Sequence, residues 1–179
     1  MEKTYFAIMA IGEDAPGIVA AITGVLLERD CNIETSQMTI VGGHFATTLI
    51  ASCETQHDPE AIKESLQSAG NGSAVRGVYV NQLDPERFRP FGGPEASHSI
   101  TAWVSDRQGV LHEIAQALAD DKVNITALSS GCSEEDESLC VLTLDVSLPF
   151  GMSEADLGKV LADVPKDVRI KVEPIRRAL

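Results

Sequence analysis

Two short motifs in this chain combine residues that could bind a small zwitterion, and each motif occurs twice. In the first, Asp14 precedes Gly17 and Asp106 precedes Gly109, just ahead of segments whose apolar residues recur at helical spacing. The start of a helix has unpaired N–H groups and the positive end of the helix dipole, which favour a carboxylate, and a glycine there permits close approach. The motif therefore predicts a carboxylate-binding turn in each copy.

The second motif is an asparagine followed by an isoleucine, at Asn32-Ile33 and again at Asn124-Ile125. An amide side chain has both donor and acceptor atoms, so it could orient the other end of a zwitterion. We expect the fold to bring this motif beside the turn of the same copy. A purely structural role stays open for both motifs, because aspartate before a helix often caps it and asparagine before a strand is common in turns.

An internal repeat organises the chain. Residues 14–33 align with residues 106–125 without a gap, at a constant offset of 92. Between the copies, residues 84–96 contain three prolines and two glycines, which discourage both helix and strand. We therefore predict a first domain over residues 1–84, a linker over 85–97 and a second domain over 98–179.

The predicted order of elements is the same in both copies. Runs of apolar and β-branched residues predict strands at 4–11, 31–41, 44–53 and 74–83, and again at 98–105, 123–132, 139–148 and 167–174. Apolar residues at helical spacing predict helices at 18–26, 61–69, 108–121 and 153–163. The βαββαβ order indicates the α+β class, as two ferredoxin-like domains, each an antiparallel four-stranded sheet with both helices on one face.

The first predicted strand is apolar on both of its faces. Phe6 and Ile8 point to one side, and Met9 and Ile11 point to the other. An antiparallel sheet with one face in water should instead alternate apolar and polar residues. We therefore expect the helix-free faces to be covered by the partner repeat or by a second chain.

The charge of the chain argues against nucleic-acid binding. Its 27 acidic and 14 basic side chains give a formal charge of −13, and both copies share the acidic excess. Affinity for nucleic acid comes largely from Lys and Arg at phosphates, so we predict no direct nucleic-acid partner. No apolar run is long enough to cross a bilayer and the N-terminus lacks a signal-peptide pattern, so we expect no membrane association and a cytoplasmic location.

The cysteines and histidines suggest little further chemistry. We expect the four cysteines to be buried free thiols in a reducing compartment, with a Cys132–Cys140 disulfide across a hairpin as the minor alternative. The histidines have no short ligand spacing and no C-x2-C pair beside them, so we predict surface or turn residues and no bound metal. These histidines are His44, His57, His98 and His112.

The repeated motifs resemble those of the ACT domain, a βαββαβ module that binds amino acids to regulate metabolism. The matching segments are Asp14-x-Pro-Gly-Ile-Val with Asn32-Ile33, and Asp106-x-x-Gly-Val-Leu with Asn124-Ile125. In ACT domains the ligand lies at an interface between modules, against the strand-to-helix turn. The resemblance therefore implies these ligand-binding residues: Asp14, Gly17, Ile18, Asn32 and Ile33 in the first copy, and Asp106, Gly109, Val110, Asn124 and Ile125 in the second.

Two ACT domains that fill nearly the whole chain resemble the glycine cleavage system transcriptional repressor group. That resemblance implies a regulator, not an enzyme, that senses a small amino acid effector such as glycine and needs no cofactor. It also implies a homodimer that acts by contacting a transcriptional activator protein, and the net negative charge agrees with action through a protein. The second copy has Gln108 where the first has Pro16, so its turn is less rigid, and one copy could bind while the other only packs.

Two other functions fit parts of the sequence. A ligand-free ACT dimerisation or scaffold module is the main alternative, because strands that are apolar on both faces favour interfaces. An acylphosphatase-like enzyme fits less well, although Gln108-Gly109-Val110 resembles the phosphate-binding turn of those enzymes. The arginine they place three residues later is replaced here by Glu113, which would repel phosphate.

Overall fold

The computed structural model of the protein describes residues 3–69, 75–84, 95–133, 139–162, 164 and 168–175. The chain divides into two units, Met1–Gly92 and Gly93–Leu179, and each unit has its own hydrophobic core. The division falls within the segment predicted as a linker, of which residues 85–94 lie outside the described residues.

The first unit has the predicted βαββαβ order. Its strands are β1 (Thr4–Glu13), β2 (Cys31–Val41), β3 (His44–Cys53) and β4 (Val75–Leu83), and its helices are α1 (Ile18–Leu27) and α2 (Pro59–Ser68). All pairings are antiparallel, and the strand order is β2-β3-β1-β4. The strand β2 therefore lies at an edge of the sheet.

The second unit repeats this arrangement. Its strands are β5 (His98–Ser105), β6 (Asn124–Cys132), β7 (Leu139–Ser147) and β8 (Arg169–Pro174), and its helices are α3 (Val110–Asp120) and α4 (Glu154–Ala162). Its sheet has the order β6-β7-β5-β8, again antiparallel, with β6 at an edge. The prediction of two ferredoxin-like α+β domains is confirmed.

Burial alternates along β1 as the one-sided packing of helices requires. Phe6 and Ile8 are fully buried and pack in one core with Leu26 of α1, while Met9 and Ile11 are 47% and 53% exposed. The helix-free face of the first sheet is thus apolar and open within its own unit. Its cover by another repeat or another chain stays a prediction.

A bulge shifts the pairing between β2 and β3. The Gly42-Gly43 turn has positive φ at both residues, 57° and 76°, as two-residue hairpins favour, and the pairing runs back from it without a break to Thr35 opposite Ile50. Glu34 is then an extra residue on the edge strand. The second unit has its bulge at the equivalent residue, Thr126, so the repeat preserves this irregularity.

The expectation of four free thiols is wrong, because the cysteines form two disulfides, Cys31–Cys53 and Cys132–Cys140. Each pair joins directly opposite residues of neighbouring strands, with Cα atoms 4.3 Å and 3.9 Å apart. The bulge at Glu34 explains the first pair. Without the extra residue, Cys31 would lie one place out of register, and a one-residue shift turns a side chain to the opposite face of the sheet.

Candidate functional site

Both strand-to-helix turns present a helix start that no side chain caps. Gly17 is the N-cap residue of α1 and Gly109 that of α3, and both have left-handed backbones at φ 94° and 93°. Asp14 and Asp106 therefore do not cap these helices. A Cβ placed on Gly17 would meet nothing within 4 Å, so the first turn is open to a ligand.

The other residues of the two turns have different surroundings. The backbone N–H of Asp14 donates to the Gly43 carbonyl oxygen at 2.9 Å, which ties the turn to the β2–β3 hairpin. Ile18 and Val110 are only 4% and 8% exposed and pack into the cores, so their side chains are not available to a ligand. The backbone N–H of Ile18 donates to the Ala15 carbonyl oxygen at 3.5 Å. In the second unit, a carboxylate oxygen of Asp106 lies within 4.8 Å of both sulfurs of the nearby disulfide.

The structure separates the turn from the asparagine of the same unit, so the expectation that the fold brings them together is wrong. Asn32 pairs with Ser52, which pairs with Tyr5 near the start of β1, whereas the turn follows Glu13 at the end of β1. Eight residue steps at about 3.3 Å put roughly 26 Å between the two places. Asn124 lies likewise near the start of β5. The reason is that each first helix runs back along its sheet before the next strand begins.

Asn32 lines a polar pocket of about 430 Å³ at its end of the first sheet, here called the Asn32 pocket. The lining residues are Lys3, Asp30, Asn32, Ser52, Glu54 and Thr55. Two carboxylates against one ammonium make the pocket acidic, while its amide and hydroxyl groups can donate and accept hydrogen bonds. Such a lining suits the ammonium end of an amino acid.

The bulged residue Glu34 holds two residues of the pocket lining. The Ser52 hydroxyl donates to Glu34 Oε1 at 2.5 Å, and Lys3 Nζ lies 4.0 Å from the same oxygen. The hydrogen bond from Ser52, helped by one from Asn32 and by the charge of Lys3, lowers the pKa of Glu34 against the opposing effect of burial. An ionised Glu34 therefore fixes the side chains of Ser52 and Asn32.

The turn of the second unit carries an ion pair that the first turn lacks. Arg107 donates two hydrogen bonds to Glu113, at 2.8 Å (Nη1 to Oε1) and 2.5 Å (Nη2 to Oε2). This contact lowers the pKa of Glu113, whose Oε1 would lie 4.0 Å from a Cβ placed on Gly109. At the offset of 92, the first unit has Ala15 and Ala21 in the places of Arg107 and Glu113. The second turn thus has a carboxylate beside Gly109, whereas the acids at the first turn are Asp14 and Glu13, of which Glu13 is paired with Arg76.

The two isoleucines of the asparagine motif are structural residues. Ile33 and Ile125 are partly buried and pack against the cores of their units, while Asn32 and Asn124 beside them are exposed. Of the two motif residues, therefore, only the asparagine offers its side chain to a ligand in each unit.

Sequence reasoning missed a cluster beside the Asn32 pocket. A ring nitrogen of His57 lies within 4.8 Å of both sulfurs of the Cys31–Cys53 disulfide. Cys53 and His57 are only four residues apart, but Cys31 lies 22 residues before Cys53, and the bulge at Glu34 that aligns the cysteines has no sequence signal. As a disulfide the pair has no thiolate to offer a metal ion. His57 lies in the irregular segment between β3 and α2.

Comparison with known families matches both units of the chain. Residues 4–75 and residues 98–149 each match the ACT domain. The chain belongs to the ACT domain family. Its two ACT domains are in tandem, and among the described residues no helix is long and apolar enough to span a membrane.

Curated relatives of the tandem ACT protein are small archaeal proteins that match about half of it. The chain is 37% identical over 85 residues to the UPF0237 protein MK1213 of Methanopyrus kandleri. The matched segment covers 47% of this chain and 93% of the relative. A UPF0237 protein of Methanosarcina mazei is 33% identical over 89 residues, spanning 49% of this chain and 96% of the relative.

Solved structures show the same two-domain ACT fold over the whole chain. An unknown protein from Galdieria sulphuraria has a TM-score of 0.74 at 21% identity, covering 98% of this chain and 100% of its own. A protein provisionally described as a glycine cleavage system transcriptional repressor has a TM-score of 0.68 at 15% identity, covering 99% and 100%. At these identities the likeness shows the fold alone.

Proposed function

We propose that this tandem ACT protein is a non-enzymatic regulator that binds a small amino acid, such as glycine, and passes that signal to a transcriptional activator protein. The observation that carries the proposal is the open turn at Gly17. There no side chain caps the start of α1, and a Cβ added to Gly17 would meet nothing within 4 Å. Such a helix start suits the carboxylate of an amino acid.

The first ACT domain is the better candidate for binding. The Arg107–Glu113 pair holds the Glu113 carboxylate beside Gly109, in the space that a ligand carboxylate would need. Ala15 and Ala21 place no carboxylate beside Gly17, and the Glu13 carboxylate at the end of β1 is paired with Arg76. We therefore assign binding to the first turn and a packing role to the second.

A small ligand cannot contact both motifs within one unit. The turn and the Asn32 pocket lie roughly 26 Å apart in one unit, estimated from strand geometry, and a free amino acid is far shorter than that. A homodimer that sets the turn of one copy against the Asn32 pocket of its partner would place the carboxylate on helix N–H groups. The ammonium would then lie among the acidic residues of the pocket, Asp30 and Glu54.

The charge of the chain supports signalling through a protein. At −13, its surface repels phosphates, so the regulator would contact an activator rather than DNA. Tight, salt-sensitive binding to duplex DNA at physiological salt would contradict this part of the proposal.

Calorimetric titration of the full chain with glycine, serine and other amino acids tests the proposal. A turn-blocked variant, Ala15→Arg with Ala21→Glu, copies the ion pair of the second unit and should lose binding. Asn32→Ala should weaken it by removing a pocket contact. If no amino acid binds at cellular concentrations, the proposed sensing function is refuted, and a ligand-free dimerisation or scaffold function is supported instead.

Mixing these two variants tests whether the ligand lies between copies. Each mixed dimer would have one intact site, formed by the turn of the Asn32→Ala chain and the pocket of the turn-blocked chain. Random exchange makes half of the dimers mixed, so about a quarter of the wild-type sites should reappear in a symmetric dimer. Absence of any recovery in dimers shown to be mixed would place each site within a single copy.

A further inference from the structure

The Cys31–Cys53 disulfide lies directly beneath the Asn32 pocket. Both cysteines are buried, at 8% and 1% exposure, on the side of the sheet that faces the core. The residues that flank the two cysteines in the chain all line the pocket: Asp30 and Asn32 on either side of Cys31, and Ser52 and Glu54 on either side of Cys53. One covalent bond therefore fixes the spacing of the two chain segments that form most of the pocket.

A base is held against this disulfide. A ring nitrogen of His57 lies within 4.8 Å of both sulfurs. His57 Nε2 donates to the Arg29 carbonyl oxygen at 2.9 Å and lies 2.9 Å from the Thr55 hydroxyl oxygen, which leaves Nδ1 as the proton-accepting nitrogen of the neutral ring. The Cys31 sulfur lies 3.5 Å from the same carbonyl oxygen, so the backbone of Arg29 holds the imidazole and the sulfur side by side. An imidazole beside a thiol can accept its proton, which produces the thiolate that reacts with disulfides.

The second disulfide has the opposite chemistry around it. A carboxylate oxygen of Asp106 lies within 4.8 Å of the sulfurs of Cys132 and Cys140. A nearby negative charge disfavours a thiolate, so exchange at this pair is opposed. The chain thus contains one disulfide with a base beside it and one with an anion beside it, which makes the second a built-in control for the first.

We propose that Cys31 and Cys53 form a reversible thiol–disulfide site whose oxidation state controls the Asn32 pocket, an inference that rests on the proposed amino-acid sensing. The reactant is a low-molecular-weight disulfide of the glutathione class, and the corresponding thiol reverses the reaction. Disulfides in reducing compartments are mostly transient or redox-sensing, so a reversible pair also fits the predicted cytoplasmic location.

The exchange proceeds in two steps. The thiolate of Cys31, the more exposed of the two, attacks one sulfur of the small disulfide, forming a mixed disulfide and releasing one thiolate. The Cys53 thiol then gives its proton to His57, and its sulfur attacks the Cys31 sulfur. This forms the Cys31–Cys53 bond and releases the second small thiolate. Two protein thiols are oxidised, one small disulfide is reduced to two thiols, and the two protons go to those products.

Reduction releases the edge strand next to the pocket. The first residues of β2 then lose their covalent link to β3, and Asn32 is no longer held at a fixed distance from Ser52. We expect effector affinity to fall about tenfold, within the usual range for two coupled sites. Because coupling is reciprocal, saturating effector should make the pair harder to reduce by about 30 mV, which is tenfold converted for two electrons.

The first experiment equilibrates the full chain in reduced and oxidised glutathione and follows each cysteine by alkylation and mass spectrometry. We expect Cys31 and Cys53 to exchange without denaturant, at a rate that depends on His57. At pH 7 an ordinary thiol is only about 3% thiolate, so a base can speed attack at most about thirtyfold, and His57→Gln should slow exchange about tenfold. No exchange in the folded protein, or an unchanged rate in His57→Gln, would overturn the proposal.

The second experiment compares the oxidised and reduced wild-type chain, so no variant has to fold. Hydrogen exchange should increase on reduction at residues 31–33 and 51–53, and calorimetry should show the tenfold loss of effector affinity. The double variant Cys132→Ser with Cys140→Ser should behave like wild type in both measurements. If both states bind the effector equally, or if hydrogen exchange does not change, the redox control is wrong.

The two proposals fail in different ways. If no amino acid binds either state, the sensing function fails, while glutathione exchange and hydrogen exchange still decide whether the redox site exists and whether it changes the pocket. If an amino acid binds both states with one affinity, sensing stands and the redox control is refuted.

Discussion

Substitution by alanine should have opposite effects on stability at Gly17 and Gly24, which are seven residues apart. Gly17 has a left-handed backbone at φ 94°, and an added Cβ would meet nothing within 4 Å, so Gly17→Ala costs only backbone strain. That strain is about 1–2 kcal/mol, partly offset by the lower entropy of the unfolded alanine chain, which leaves roughly 1 kcal/mol of destabilisation. Gly24 lies inside α1 and also has free space, so Gly24→Ala should stabilise by about 1 kcal/mol.

Urea unfolding of the full chain measures both changes. Tyr5 and Tyr79 are the only tyrosines of the chain and both lie in the first unit, so the nuclear magnetic resonance signals of their rings follow the unfolding of that unit. The two variants should differ by about 2 kcal/mol in free energy of unfolding, with wild type between them. Effector binding should weaken in Gly17→Ala alone, since only this change alters the turn. A stabilising Gly17→Ala would refute the left-handed turn and, with it, the open helix start.

Three further changes test other parts of the structure. Glu113→Ala should free the second turn and raise the amino-acid stoichiometry from one to two per chain by calorimetry; a constant value would argue against the role given to the pair with Arg107. Because the pKa of Glu34 is lowered in the folded state, its stabilising contribution is present above its usual pKa and is lost as pH falls through the lowered value. Ser52→Ala should therefore flatten the decline in melting temperature at acid pH, and an unaltered decline would contradict this. Tyr79→Asp places a charge on the exposed apolar face, where Tyr79 is 58% exposed, and should shift the chain toward monomer in sedimentation; an unchanged dimer would show that this face is not its interface.

The order of elements could be predicted because its signals are local. The Gly42-Gly43 pair predicts the hairpin, and both residues adopt the positive φ that such a turn favours. The apolar spacing of Ile18, Ile22 and Leu26 predicts α1, and the three residues are its buried ones. The constant offset of 92 between the copies then predicts the same order of strands and helices in the second unit.

The separation of the two motifs was within reach of the sequence. A helix that follows a strand and packs on its sheet must run back along it, so the next strand starts at the end where the first one started. Asn32 therefore had to lie near Tyr5 rather than near Gly17. The motif residues alone suggest one site, and only the topology shows that one unit cannot contain it.

The Cys31–Cys53 disulfide depends on information that is not local. Without a bulge, the Gly42-Gly43 turn would set Cys31 opposite Glu54, and the cysteines would point to different faces of the sheet. The single extra residue Glu34 brings Cys31 opposite Cys53. No residue type marks a bulge, so a prediction from spacing alone favours free thiols.

The two ACT domains keep one backbone plan and differ where chemistry is possible. Both have a glycine N-cap with nearly the same φ and a bulge at the same place in the edge strand, so the framework of a site is present twice. In the second domain an ion pair lies at the turn and the disulfide sits beside Asp106 at that same end, while Asn124 has no cysteine beside it. In the first domain the turn is open and the disulfide underlies the pocket. A shared framework with these differences is what one binding domain and one packing domain would require, and it predicts that changes at the turn of the first domain alter effector binding more than equivalent changes in the second.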